Sequence, residues 1–174
     1  VSPETAIRIG QLGGVAVLNL EGLWTRYEDP EPMLDEISEL DTEKATLRMQ
    51  EIYSSPVIPE LIPERIRQIN EAGVTSCVSV TPQRTQAYSK YILATELDLL
   101  VIQGTVVTAE HVSKTVEPLN LKKFVREMPL PVIVGGCASY EAALHLMRTG
   151  AAGILVGVGP GHACTSRAVL GIGV

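Results

Sequence analysis

The sequence predicts an α/β fold built on a parallel sheet. Five short apolar runs alternate with helical segments along 174 residues, and alternation of this kind implies parallel strands joined by right-handed crossovers. Aromatic residues make up only 4% of the chain. The core must therefore be Val, Ile, Leu and Ala, which suits strands covered by helices on both faces. The last apolar run leads directly into a glycine-built loop carrying a thiol. Parallel α/β enzymes place their chemistry at that end of a strand.

Each element follows from local signals. Ser2-Pro3-Glu4 combines a cap, a first-turn proline and a carboxylate at the positive end of the dipole. The helix it opens stops at Gly13-Gly14, and Val15 to Leu20 reads as a strand. A polar stretch from Glu21 to Pro32 precedes helical segments over 32–40 and 42–53, the second capped by Asp41-Thr42. Residues 41–60 are the one plausible insertion or lid. A helix over Pro63 to Ala72 follows, closed by Gly73. Strands are then expected at Thr75 to Val80, Leu99 to Gln103, Val132 to Val134 (ending in Gly135-Gly136) and Ile154 to Val156. Helices are expected at Gln83 to Thr95, near 108–115 and 119–128, and at Ser139 to Thr149.

Two architectures accommodate this order. A flavodoxin-like sheet would use all five strands. A (β/α)8 barrel needs about 250 residues, so the chain would then be an arc of one. It opens directly on a helix and stops just after Gly171-Ile172-Gly173-Val174, as expected of an excerpt from a larger protein.

Composition narrows the function. A net charge of −6 opposes a nucleic-acid surface, which needs a Lys/Arg face. Glycine amides can still hold a small anion within an acidic protein. No apolar stretch approaches the roughly 18 residues of a membrane span, and no basic-then-apolar signal opens the chain. Cys77, Cys137 and Cys164 are odd in number and lack CxxC spacing, which opposes a disulfide framework or structural zinc and points to a reducing cytoplasm.

The chemistry is concentrated in Gly157-Val158-Gly159-Pro160-Gly161-His162-Ala163-Cys164-Thr165-Ser166-Arg167. Its glycines and Pro160 exclude regular structure and let the backbone come close to a ligand. Cys164 is thereby presented for use, although a cysteine is more often a small buried hydrophobe. That blander role is assigned to Cys77 and Cys137, on or at the ends of strands. His111 and His145 have no partner at ligand spacing and read as surface or satisfied interior residues. Trp24 and Tyr27, among charges, read as a lid or subunit contact. The acidic stretch from Asp29 to Glu43 reads as a solvated helical face.

The loop, with Gly171-Ile172-Gly173-Val174 after it, resembles the active-site loop of the IMP dehydrogenase and GMP reductase family. Gly13-Gly14-Val15 and Val134-Gly135-Gly136 are similar to other strands of that barrel. Leu20 to Pro30 and Val101 to Val107 resemble a divergent bacterial branch without the paired regulatory CBS domains, so 41–60 would stand in their place. The resemblance implies a partial (β/α)8 TIM barrel, about strands two to six.

It also implies roles. Cys164 would attack purine C2 of a bound nucleoside monophosphate, as thiolates can, being both strong nucleophiles and competent leaving groups. Ser166 stands where the family usually has Thr and would donate or relay a proton. His162 stands where many members have a phosphate-binding Ser, with Gly161 and Ala163 beside it on the substrate. Gln103, Gly104 and Thr105 would line the NAD cleft. The carbonyls of Gly159, Gly161 and Cys164 match a potassium-binding loop. Gln103, Cys137 and Leu155 replace the Asp, Asn and Arg of common dehydrogenases. The implied activity is oxidation of IMP to XMP with NAD+, by a cytoplasmic homotetramer. GMP reduction with NADPH, an inactive nucleotide-binding homologue, or an unrelated phosphate-binding barrel enzyme are the alternatives. Residues 1–174 alone are expected to be inactive, because the flap arginine and later phosphate glycines would lie elsewhere.

Overall fold

The computed structural model describes residues 1–104, 107, 119–162, 164–171 and 173. Helix α1 (Pro3–Gln11) begins where Ser2 Oγ accepts the Thr5 N–H at 2.9 Å, as its cap signal requires. Strand β1 is only Leu18–Asn19, shorter than the apolar run from Val15. A 3-10 turn at Leu23–Thr25 leads to α2 (Glu31–Ser38), α3 (Thr42–Ser54) and α4 (Leu61–Glu71). Then come β2 (Cys77–Val80), α5 (Pro82–Ile92), β3 (Leu99–Gln103), α6 (Leu121–Glu127) and β4 (Val132–Cys137). Helix α7 (Tyr140–Met147), β5 (Gly153–Val156) and the short α8 (Ser166–Leu170) complete the order. The helical piece expected near 108–115, with His111, lies outside the described residues.

The five described strands are all parallel and lie in chain order, β1-β2-β3-β4-β5. A doubly wound sheet reverses its order at a switch point; this one never does. Leu18, Val78, Leu100 and Val132 are in register, as are Val80, Ile102, Val134 and Ile154 in the next layer. Apart from Ile154, which is partly buried and packs against it, both layers belong to one buried cluster with Ile62, Ile66 and Ile69 of α4, Ile92 of α5, Val125 of α6 and Leu146 of α7. Burying each of these Ile and Leu side chains contributes about 1.5–3 kcal/mol.

The helices therefore share the face presented by alternate strand residues, rather than covering both faces as composition suggested. The other parity, Ser79, Val101, Ile133 and Gly153, forms the opposite face. Sequential parallel strands with helices on one side make an arc of a (β/α)8 barrel. The flavodoxin-like alternative is excluded by that order.

The loop after β1 is fixed from below. Arg65 of α4 is 5% exposed. Its guanidinium donates to the carbonyls of Trp24 (2.9 Å), Tyr27 (3.2 Å) and Glu28 (2.6 Å). Trp24 is half-buried and packs on the core. Tyr27 Oη donates to the Ile52 carbonyl at 2.9 Å and sits 2.8 Å from Ser55 Oγ, tying the loop to the 41–60 segment. From that segment α3 docks on the preceding α2 through Arg48 and Glu36, with both carboxylate oxygens accepting at 2.9 and 3.0 Å. Few α3 side chains are buried, and none of α2, as expected for a solvated acidic face.

Candidate active site

The carboxyl ends of the strands form a continuous rim. Glu21, just past β1, accepts the Thr81 backbone N–H at 2.8 Å just past β2. Gly104 N–H donates to the Gly135 carbonyl at 2.9 Å, and Gly136 N–H returns to the Gly104 carbonyl at 3.0 Å. Gly157 N–H donates to the Cys137 carbonyl at 2.7 Å. The sequence predicted that β4 stops at Gly135-Gly136; instead the strand runs through both glycines to Cys137. The reason is steric. A Cβ on Gly135 would stand 2.6 Å from the Leu155 carbonyl oxygen of β5, so only glycine lets these two strands approach this closely.

Beyond β5 the loop turns at Gly157 and Gly159, whose φ values of 123° and 62° favour glycine. It ends at Thr165, from which α8 starts. This short helix was not foreseen, because the glycine and proline signals next to it dominate the local reading. A cavity of about 560 Å³ opens between the rim and the loop. Gln103, Gly104 and Gly136 line one part of it; Leu155, Cys164 and Ser166 line another.

Cys164 is exposed. Its backbone N–H donates to the Gly161 carbonyl at 3.1 Å, which holds the residue at the loop's turn. Its Sγ lies 3.3 Å from Ser166 Oγ. The Ser166 hydroxyl, then the Ser166 backbone N–H and the positive charge of Arg167, hold the thiol below its ordinary pKa. Each of these favours the thiolate, the form that acts as nucleophile. Cys77 is the contrast, because burial pushes its thiol up to about 11. Cys77 and Cys137 are both buried, in keeping with structural roles.

The fold thus brings Cys164, Ser166, Gln103, Gly104 and Gly159 around one cavity. Gly161 and His162 are exposed in the same loop but are not part of the cavity wall. Thr105 and Ala163 lie outside the described residues. His145 is exposed on α7. Leu155 enters the wall directly, opposite the rim glycines, and Arg167 proves to be a structural partner of the loop. Its Nε donates to the Gly159 carbonyl at 3.1 Å and its Nη2 to the Pro160 carbonyl at 2.9 Å. Sequence reasoning gave Arg167 no role, although it lies inside the motif.

The exposed carboxamide of Gln103, beside side-chain-free Gly104, fits the neutral amide and hydroxyl groups of a dinucleotide. The potassium cage fits less well. Of its three expected carbonyls, that of Gly159 already accepts from Arg167 and that of Gly161 from the Cys164 amide. Each keeps a second lone pair, but an ion on the Gly159 oxygen would sit beside the Arg167 guanidinium, a fixed like charge. Among the described residues no group of three or more His, Cys, Asp or Glu side chains gathers as metal ligands.

The profile of the IMP dehydrogenase / GMP reductase domain matches residues 2–174. The chain belongs to that family. Like other IMP dehydrogenase / GMP reductase members it has curated relatives, among them an uncharacterized oxidoreductase of Mycolicibacterium smegmatis. That protein is 46% identical over 180 residues, covering 100% of this chain and 48% of the relative. An uncharacterized oxidoreductase of Mycobacterium leprae is 48% identical with the same coverage. The inosine-5'-monophosphate dehydrogenase of Borreliella burgdorferi is 31% identical over 138 residues, covering 78% of this chain and 33% of that enzyme. Among solved structures, an IMP dehydrogenase/GMP reductase-like protein from Corynebacterium glutamicum superposes with a TM-score of 0.88 at 40% identity. It covers 100% of this chain and 46% of its own. The chain spans about half the length of the curated relatives it matches in full. The chain is therefore a partial TIM barrel of this family.

Proposed function

We propose that the whole protein oxidises IMP to XMP through a covalent bond between Cys164 and purine C2. The observation that supports this most is the exposed Cys164 thiol, held toward the thiolate by Ser166, on a cavity it shares with Gln103.

The thiolate sulfur forms a bond to C2, and C2 then gives up a hydride. NAD+, when bound, supplies the acceptor for that hydride. Water adds to the resulting thioimidate, the carbon–sulfur bond breaks, and XMP leaves as the thiol is restored. Ser166 lies within hydrogen-bonding range of the sulfur and stabilises its anion before attack and after release. Gln103 and Gly104 hold the dinucleotide beside the purine. His162, exposed on the loop, serves the 5′-phosphate together with Gly161 and Ala163 of the same motif.

We propose that the working form is a cytoplasmic homotetramer; the three free cysteines are compatible with a reducing compartment. No described helix is long and apolar enough to cross a membrane.

Steady-state NADH formation by the full-length protein with IMP and NAD+ tests this reading. NADH release that vanishes in Cys164→Ala supports it. Turnover retained in Cys164→Ala, or consumption of NADPH with GMP and none of NAD+ with IMP, contradicts it.

A further inference from the structure

We propose that Arg167 is the resident cation of the nucleophile loop, and that the loop keeps its shape without potassium. The proposal rests on the loop being the nucleophile loop described above, but not on which purine nucleotide it serves.

Three contacts carry it. The Arg167 guanidinium bonds two successive loop carbonyls, those of Gly159 and Pro160, at 3.1 and 2.9 Å. The Arg167 carbonyl accepts the Gly171 N–H at 3.1 Å, and Gly171 takes φ of 68° to close α8. A Cβ on Gly173 would stand 2.7 Å from both Cγ and Nε of Arg167. The residue is therefore clasped at its backbone and its stem, while its head group bridges the loop ahead of it.

Loop carbonyls that turn toward a positive charge are held by it, and hydrogen bonds from a charged donor are stronger than those from a neutral one. A hydrated or partly hydrated potassium ion is one such charge, and a guanidinium held by the chain itself is another. Here the oxygen of Gly159 accepts from Arg167 and that of Gly161 from the Cys164 amide, so one lone pair of each is taken. A potassium ion on the Gly159 oxygen would also sit close to a fixed like charge, which disfavours it. Because the guanidinium is always charged and presents its donors in a planar fork, it holds two carbonyls in a set geometry that lysine cannot match.

Hydrogen–deuterium exchange of the full-length protein without substrate reads this directly, at the Cys164 and Gly171 amides. The solution contains either potassium chloride or choline chloride at equal ionic strength. In the wild-type protein, protection of both amides is expected to be the same in the two salts. Arg167→Gln, and separately Gly173→Ala, are expected to exchange about tenfold faster there, the loss of one to two hydrogen bonds. Arg167→Lys is expected to recover part of the protection. Strand β3 amides serve as the internal standard, so unfolding is told apart from loosening of the loop. Wild-type protection that appears only with potassium overturns the proposal, as does Arg167→Gln protection equal to wild type in choline chloride. Neither readout uses catalysis, so failure of IMP oxidation and failure of this proposal are separate results.

Discussion

At the scale of the residue, Cys164 differs from the other two cysteines by surroundings alone. Its sulfur sits in reach of Ser166 and near Arg167, on an exposed residue. A thiol whose pKa is lowered carries more thiolate at neutral pH. Its alkylation by iodoacetamide should therefore level off at lower pH than that of a cysteine in a short peptide. In Ser166→Ala the curve should move to higher pH, because the first cause of the shift is gone. Peptide mapping should find the label on Cys164 and not on buried Cys77, whose thiol is pushed up to about 11. Replacing Cys164 by Ala should lower turnover by roughly three orders of magnitude or more, the usual result of deleting a covalent nucleophile.

At the scale of the element, two positions hold the site in place without touching it. Gly135 lets β4 lie against β5 at Leu155. Gly135→Ala should destabilise the protein by about 1–3 kcal/mol, as an overpacked contact does, read as a fall in the urea midpoint. Arg65 serves three loop carbonyls from a buried position. Arg65→Ala should cost about 2–3 kcal/mol through carbonyls left unpaired. Arg65→Met, which restores only volume, should recover little of it.

These positions also mark what the sequence could convey. The caps at Ser2 and Asp41 were legible because capping is local, and each accepts the expected backbone N–H. The strands were legible from their apolar runs, and Cys164 from the glycines around it. The continuation of β4 through Gly135-Gly136 was not, since glycine reads locally as a break and its reason is a neighbour twenty residues away on β5. Arg65 and the burial of Trp24 were hidden for the same reason: both depend on contacts between α4 and the β1 loop. Arg167 stood in plain view within the motif, but only the loop's folded path shows which carbonyls it meets.

At the scale of the whole molecule, the described sheet has two open sides, with β1 paired only to β2 and β5 only to β4. A complete barrel has no such edges. Residues 1–174 produced alone should therefore self-associate on size-exclusion chromatography and show no NADH formation, whereas the full-length protein should run as a discrete oligomer.

The claim on which the account turns is that Cys164 bonds to the purine. Intact-protein mass spectrometry of the full-length protein, quenched during turnover with IMP and NAD+, tests it most directly. The account predicts a mass increase equal to one purine nucleotide adduct, mapped to the Cys164 peptide and missing from Cys164→Ala. A full-length protein that releases NADH steadily yet carries no adduct on Cys164, or carries it on another residue, would contradict the account.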